Sequence, residues 1–197
     1  RDELEDRLMS RVHSQTFGVL ADETEEDARL SERLASLSSL SPAQLGVADE
    51  FADTRFNRWD AARAELQELG GCITPRAKMA CVMRFVLQLK QGLLECKSVQ
   101  SAKRRGECAE FGADELFPVL VYVVLLTNPS QLHSNLQYVQ RFRSPVGLKS
   151  EAGCYFTHLM AAATFLSALA DEPRIPPDPR GSSHGSSDAA AADAEDP

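Results

Sequence analysis

The chain has 197 residues, 43% of them hydrophobic, enough for one substantial core with at most a packed helical annex. Its 21 basic against 29 acidic residues leave a net charge of −8, the wrong field for nucleic-acid phosphates and no strong attraction for anionic lipid. The longest wholly apolar stretch, Leu116 to Leu126, falls short of the ~20 residues that cross a bilayer, so a soluble chain with no transmembrane segment is expected.

Five cysteines, at 72, 81, 96, 108 and 154, are an odd and widely spaced set with no CxxC pair. That excludes a zinc knuckle and reads as buried free thiols in a reducing compartment. Arg1 in place of a methionine reads as the start of a fragment, so no signal peptide is inferred or excluded.

Helical periodicity runs through the N-terminal part. Leu4, Leu8 and Val12 form one stripe in a charged background. Thr24 and Asp27 are placed to cap a second stripe of Leu30, Leu34 and Leu37. Ser41-Pro42 reads as an N-cap with proline at the first helical position. A further amphipathic segment carries Trp59, Ala62, Leu66 and Leu69, and Gly70-Gly71 stops it.

Thr74-Pro75 opens the next helix, whose apolar set is Met79, Val82, Met83, Val86, Leu89 and Leu93. From Lys97 to Phe111 the period dissolves into a polar, basic stretch expected to be a loop. The run from Val119 to Leu126 is apolar all round and could be a buried strand or helix. Asp114 and Glu115 favour a helix start, and a lone strand among helices would lack a partner. Pro118, which has no N–H, is expected to help define that start. Leu132, Leu136, Val139 and Phe142 make a clean stripe behind Ser130, a good N-cap residue. The last helix opens near Ser150 and carries Ala152, Tyr155, Leu159, Ala162, Leu166 and Leu169. Beyond Ala170 the Pro-, Ser-, Ala- and acid-rich tail has almost nothing to bury and is expected to be disordered.

The block GADELFPVLVYVVLLTNPSQLHSNLQYVQRFR, the words GCYFTHLMAA after it and PRAKMACVMRFVLQL before it resemble the vacuolar-protein-sorting-nine-type domain. SPAQLGV and RWDAARAELQEL resemble the helical annex that packs against this domain in some members. The resemblance implies an all-α, layered exchange-factor domain over 74–170 and a helical bundle region over 1–73, and composition leaves 171–197 as a disordered tail. It also implies a guanine-nucleotide exchange factor that frees GDP from Rab-five-like small GTPases, with no covalent chemistry, no metal and no cofactor. Such a protein works in the cytoplasm, peripherally at early endosomes, with any membrane recruitment supplied from outside this stretch.

Under the same resemblance Asp114 is the acidic finger and Pro118 shapes the groove beside it. The family's usual Tyr and Thr on the last helix fall on Cys154 and Thr157, so Cys154 departs from the pattern. Ala161 shares their helix face, leaving a shallow groove for a partner's apolar ridge. Asn135 and Tyr138, three apart in the distinctive block, are candidate partner contacts or caps of a neighbouring loop. His133 reads as structural. Without the resemblance, Asp114 would be an ordinary first-turn acid and the Cys154 face would pack on a helix of the same chain. The competing functions are an exchange-inactive GTPase-binding adaptor, a thiol hydrolase built on Cys154 and His158, and a purely structural bundle. The hydrolase lacks an evident orienting group or oxyanion site.

Overall fold

The computed structural model describes residues 2–52, 58–101 and 112–169, and among these it is all-α, with no strand. The helices are α1 (Asp2–Thr16), α2 (Ala21–Ser36), α3 (Asp60–Gln67), α4 (Pro75–Ser101), α5 (Ala113–Thr127), α6 (Leu132–Phe142), α7 (Pro145–Leu148) and α8 (Glu151–Leu169). Two 3₁₀ turns, Pro42–Leu45 and Glu68–Gly71, link them. The tail beyond 169 and the basic stretch over 102–111 lie outside the described residues.

α4 is the axis of the packing. It touches α1, α3, α5, α6 and α8, and α8 lies along both α4 and α5. Its buried residues (Met79, Val82, Phe85, Val86, Leu89 and Leu93) repeat at steps of three and four. α5 is buried continuously from Val119 to Leu125, which explains why its sequence lacks a polar face. Trp59, Ala62, Leu66 and Leu69 share one apolar cluster with α4, α5 and α8, so no gap in the core follows residue 73. α3 and α4 approach so closely at Gly92 that a Cβ there would stand 2.7 Å from the Trp59 ring.

Two expected caps are present. Ser41 and Gln44 form a reciprocal capping box, and Thr74 Oγ1 accepts from the Ala77 N–H at 3.1 Å. Ser150 Oγ accepts from the Gly153 N–H at 3.2 Å ahead of α8.

Others differ, for physical reasons. α2 begins at Ala21, so Thr24 is internal, and Asp27 caps a different helix. Its carboxylate accepts from the Ser134 N–H and hydroxyl at the start of α6, where Gln131 rather than Ser130 is the N-cap residue. Helix α4 continues through Lys97 to Ser101, past the point where the apolar period fades.

α1 is rotated from the expected orientation. Leu4 and Leu8 are solvent-exposed, and Met9 is buried in their place. Polar ties set that rotation: Glu5 accepts from Arg143 at 2.8 Å, and Asp6 accepts from Thr74. α8 meets the length and hydropathy of a membrane span (19 residues, mean hydropathy 1.3), unlike any run foreseen in the sequence. Its inner residues Phe156, Leu159, Ala162 and Leu166 are nevertheless packed into the core.

Candidate functional site

The start of α5 is fixed by Glu115. Its carboxylate accepts from the Gly112 N–H at 2.9 Å and from Lys97 Nζ at 2.9 Å, tying the first turn of α5 to α4. Asp114, one residue earlier, is exposed, and no described residue bonds its carboxylate. The two adjacent acids therefore divide the work: one anchors the helix and the other projects outward.

Pro118 is the sixth residue of α5, not part of its first turn. Lacking an N–H, it cannot close the i→i−4 bond to the Asp114 carbonyl, which leaves that carbonyl without a helical donor. The proline therefore lies inside the helix, one turn after Asp114, instead of starting it. Asp114, Phe117 and Pro118 stand at i, i+3 and i+4 and share one face.

Phe117 connects this face to α8. Its ring meets His158 edge-on, with centroids 6.4 Å apart. Cys154 and Ala161 stand four before and three after His158, so they share its side of the helix, and Thr157 adjoins them. Cys154, Thr157 and Ala161 are all exposed. The Thr157 hydroxyl donates to the Gly153 carbonyl at 3.0 Å. Tyr155 is held on the α4 side: its hydroxyl accepts from Lys90 and donates to Glu151 at 3.1 Å. It cannot turn outward to stand in for an aromatic at 154.

Asn135 and Tyr138 are not on this surface. Asn135 is fully buried, its Oδ1 accepting from Lys78 Nζ at 2.5 Å and its Nδ2 donating to the Gln131 carbonyl at 2.8 Å. Tyr138 is buried among His13, Phe17 and Phe142. Both side chains satisfy or cover an interior lysine, so neither can touch a partner while the chain is folded. His133 is half-buried on the wall of an open groove of about 360 Å³ between α2, α6 and α8. Asp114, Pro118, Cys154 and Thr157 do not line that groove. No hydrogen bond joins Cys154 to His158, whose ring is occupied by Phe117 and Tyr155. Among the described residues no cluster of His, Cys, Asp or Glu could hold a metal.

Lys78 itself was missed in the sequence. It is fully buried, with two oxygen acceptors among the described residues, Asn135 Oδ1 and the Leu69 carbonyl, and the rings of Phe17 and Tyr138 nearby. Burial pushes its pKa down to about 8. Burial and Lys78 together also lower that of His13.

A lysine whose folded pKa lies below its unfolded value binds fewer protons when folded, so stability should rise with pH from about 8 upward. The slope can reach about 1.4 kcal/mol per pH unit. Above the ordinary thiol value of 9.0, Cys81, pushed up to about 12 by burial, opposes the rise. Urea unfolding at pH 7.5, 8.2 and 9 should therefore show increasing stability. Lys78→Met should lose that increase, whatever its stability at neutral pH.

With this geometry in place, the comparisons with known proteins are consistent with one another. The chain is 32% identical over 164 residues to Vacuolar protein sorting-associated protein 9A of Oryza sativa subsp. japonica, covering 83% of this chain and 32% of the relative. It is 31% identical over 169 residues to the protein of that name in Arabidopsis thaliana, covering 85% and 31%. It is 28% identical over 171 residues to the Rab5 GDP/GTP exchange factor of Homo sapiens, covering 85% and 33%. The chain thus spans about a third of the length of these relatives. The sequence profile of the Vacuolar sorting protein 9 (VPS9) domain matches residues 59–171, taking in Trp59 and α3 together with every helix from α4 to α8. The chain belongs to the VPS9 domain family.

Proposed function

We propose that this chain is the catalytic core of a guanine-nucleotide exchange factor for Rab-five-like small GTPases. The observation that carries the reading is Asp114: an exposed carboxylate with no described partner, on a helix start held by its neighbour Glu115. A GTPase grips GDP through backbone N–H groups, a loop lysine and Mg²⁺, all directed at the phosphates. A carboxylate brought to that place competes for the lysine and repels the β-phosphate, so the nucleotide-free GTPase binds better than the loaded one. Cys154, Thr157 and Ala161 supply the adjoining contact face, and Pro118 sits a turn behind the acid. The exchange involves no covalent step and no cofactor on this chain. The same reading places the protein peripherally at early endosomes, facing the cytoplasm.

The direct test is a binding comparison with a purified Rab-five-like GTPase. The chain should hold the nucleotide-free form at least about tenfold more tightly than the GDP–Mg²⁺ form. Equal affinity for both forms would mark an exchange-inactive adaptor, since a ligand that binds two states equally shifts neither.

The residue at 154 sets the strength of contact. A tyrosine there would bury ~150 Å² and a cysteine only a fraction of that, a difference worth up to a few kcal/mol before ordering costs. Cys154→Tyr should therefore raise the rate of GDP release about three- to tenfold at sub-saturating chain, while Cys154→Ala changes it little. Stopped-flow release at matched GTPase concentration checks both. A loss in Cys154→Ala with no gain in Cys154→Tyr would contradict this placement of the helix.

A further inference from the structure

After Glu151, α8 carries no Asp, Glu, Lys or Arg through Leu169, although one whole side of it faces solvent. Cys154, Thr157, Ala161, Thr164, Phe165 and Ala168 are all exposed. Other solvent-facing helices of this chain are charged on their outer sides: α1 exposes Glu3, Arg7 and Arg11, and α2 exposes Asp22, Glu25, Arg29 and Glu32. A helix face left to water is ordinarily polar, and a bare one signals a partner.

Phe165 is the largest group on this bare face and is 42% exposed. Cys154, His158, Ala161 and Phe165 follow steps of four, three and four, so they form one straight stripe three turns long, about 16 Å. Its proximal end is the candidate site, since His158 meets Phe117, which is on the face of Asp114. The site lacks an aromatic at 154 but has one eleven residues further along the same line. Interface centres are depleted of charge and anchored by such aromatics.

We infer that Phe165 is a docking anchor for an apolar surface of the GTPase, extending the contact face three turns along α8 from Cys154. This rests on the exchange reading above, through the continuity of the stripe with the Asp114 face. The charge-free side commits to a protein partner over a lipid surface, because an interfacial helix pairs its apolar face with one rich in Lys and Arg and α8 has neither. Phe165 binds and orients and takes no part in displacing the nucleotide.

The experiment measures fluorescent GDP release from a Rab-five-like GTPase as the concentration of the chain is varied. Phe165→Ala should raise the half-saturating concentration about tenfold and leave the maximal release rate within about twofold. Phe165→Leu should fall between Phe165→Ala and the wild type. Asp114→Ala should do the reverse, lowering the maximal rate. An unchanged half-saturating concentration in Phe165→Ala, with an active wild type and an inactive Asp114→Ala, would overturn the inference and leave the exchange reading standing. A wild-type chain that releases no GDP would overturn both. A lower melting temperature in Phe165→Ala would make the ring a packing residue and also overturn it. So would sedimentation of the wild type as a dimer and of Phe165→Asp as a monomer, since the stripe would then belong to a second copy. Flotation of the wild type, but not Phe165→Asp, with phosphatidylcholine vesicles would assign it to lipid.

Discussion

Asp114→Ala should abolish the acceleration of GDP release while lowering the melting temperature of the chain by no more than about 4 °C. The structure separates these two effects because the acids of the first turn of α5 have different neighbours. Glu115 holds Gly112 and Lys97, whereas the Asp114 carboxylate is exposed and meets no described group. Removing Asp114 therefore costs the helix no more than a favourable first-turn charge, a few tenths to about 1 kcal/mol. On the GTPase it removes a charge contact worth up to about 4 kcal/mol at 4 Å and an effective dielectric near 20, or nearly a thousandfold in rate. Glu115→Ala is the informative contrast. It should lower stability, because the Gly112 N–H loses its acceptor and Lys97 loses a carboxylate 2.9 Å away. Thermal unfolding and single-turnover release on the same preparations distinguish the two variants.

Gly153→Ala should be the most damaging glycine-to-alanine change among the described residues. A Cβ at 153 would lie 2.0 Å from the Leu148 carbonyl oxygen and 2.5 Å from its carbon. Both are backbone atoms, so no flexible side chain can yield. The turn joining α7 to α8 must move instead, and it carries the Ser150 cap and the first turn of the helix bearing Cys154. Overpacking of this kind costs about 1–3 kcal/mol and sometimes more. With a backbone collision, the upper end is expected: a loss of about 3 kcal/mol, or roughly 6–12 °C in Tm for a chain of this size. Gly71→Ala is the control. Its added Cβ would meet nothing closer than 4.0 Å, so denaturant unfolding should place it within about 0.5 kcal/mol of the wild type.

The helices were legible wherever a single period governed the burial. The stripe on α4 and the Ser41 and Thr74 caps follow directly from residue spacing, because the side chains that make them are local. Even the ambiguous run behind Leu116 resolved correctly from its acidic start. Long-range ties were not legible. Asp27 caps α6, more than a hundred residues away, and nothing near Thr24 announces it. The rotation of α1 depends on Arg143 and Thr74, so the stripe of Leu4 and Leu8 misled. At the candidate site, Asp114, Pro118, Cys154, Thr157 and Ala161 all reach or border the surface, but Asn135 and Tyr138 are interior. Lys78 could have been suspected. It stands four before Val82 and seven before Phe85, squarely in the buried period of α4, where a lysine needs an acceptor such as the Asn135 carbonyl. Only the fold brings that acceptor to it.

The central claim is tested most directly by release of fluorescent GDP from a purified Rab-five-like GTPase on addition of this chain. The account predicts a release rate that climbs with chain concentration and then saturates. The climb should be missing with Asp114→Ala at every concentration tried. A rate no faster than spontaneous release at saturating wild-type chain, or equal acceleration by Asp114→Ala, would contradict it.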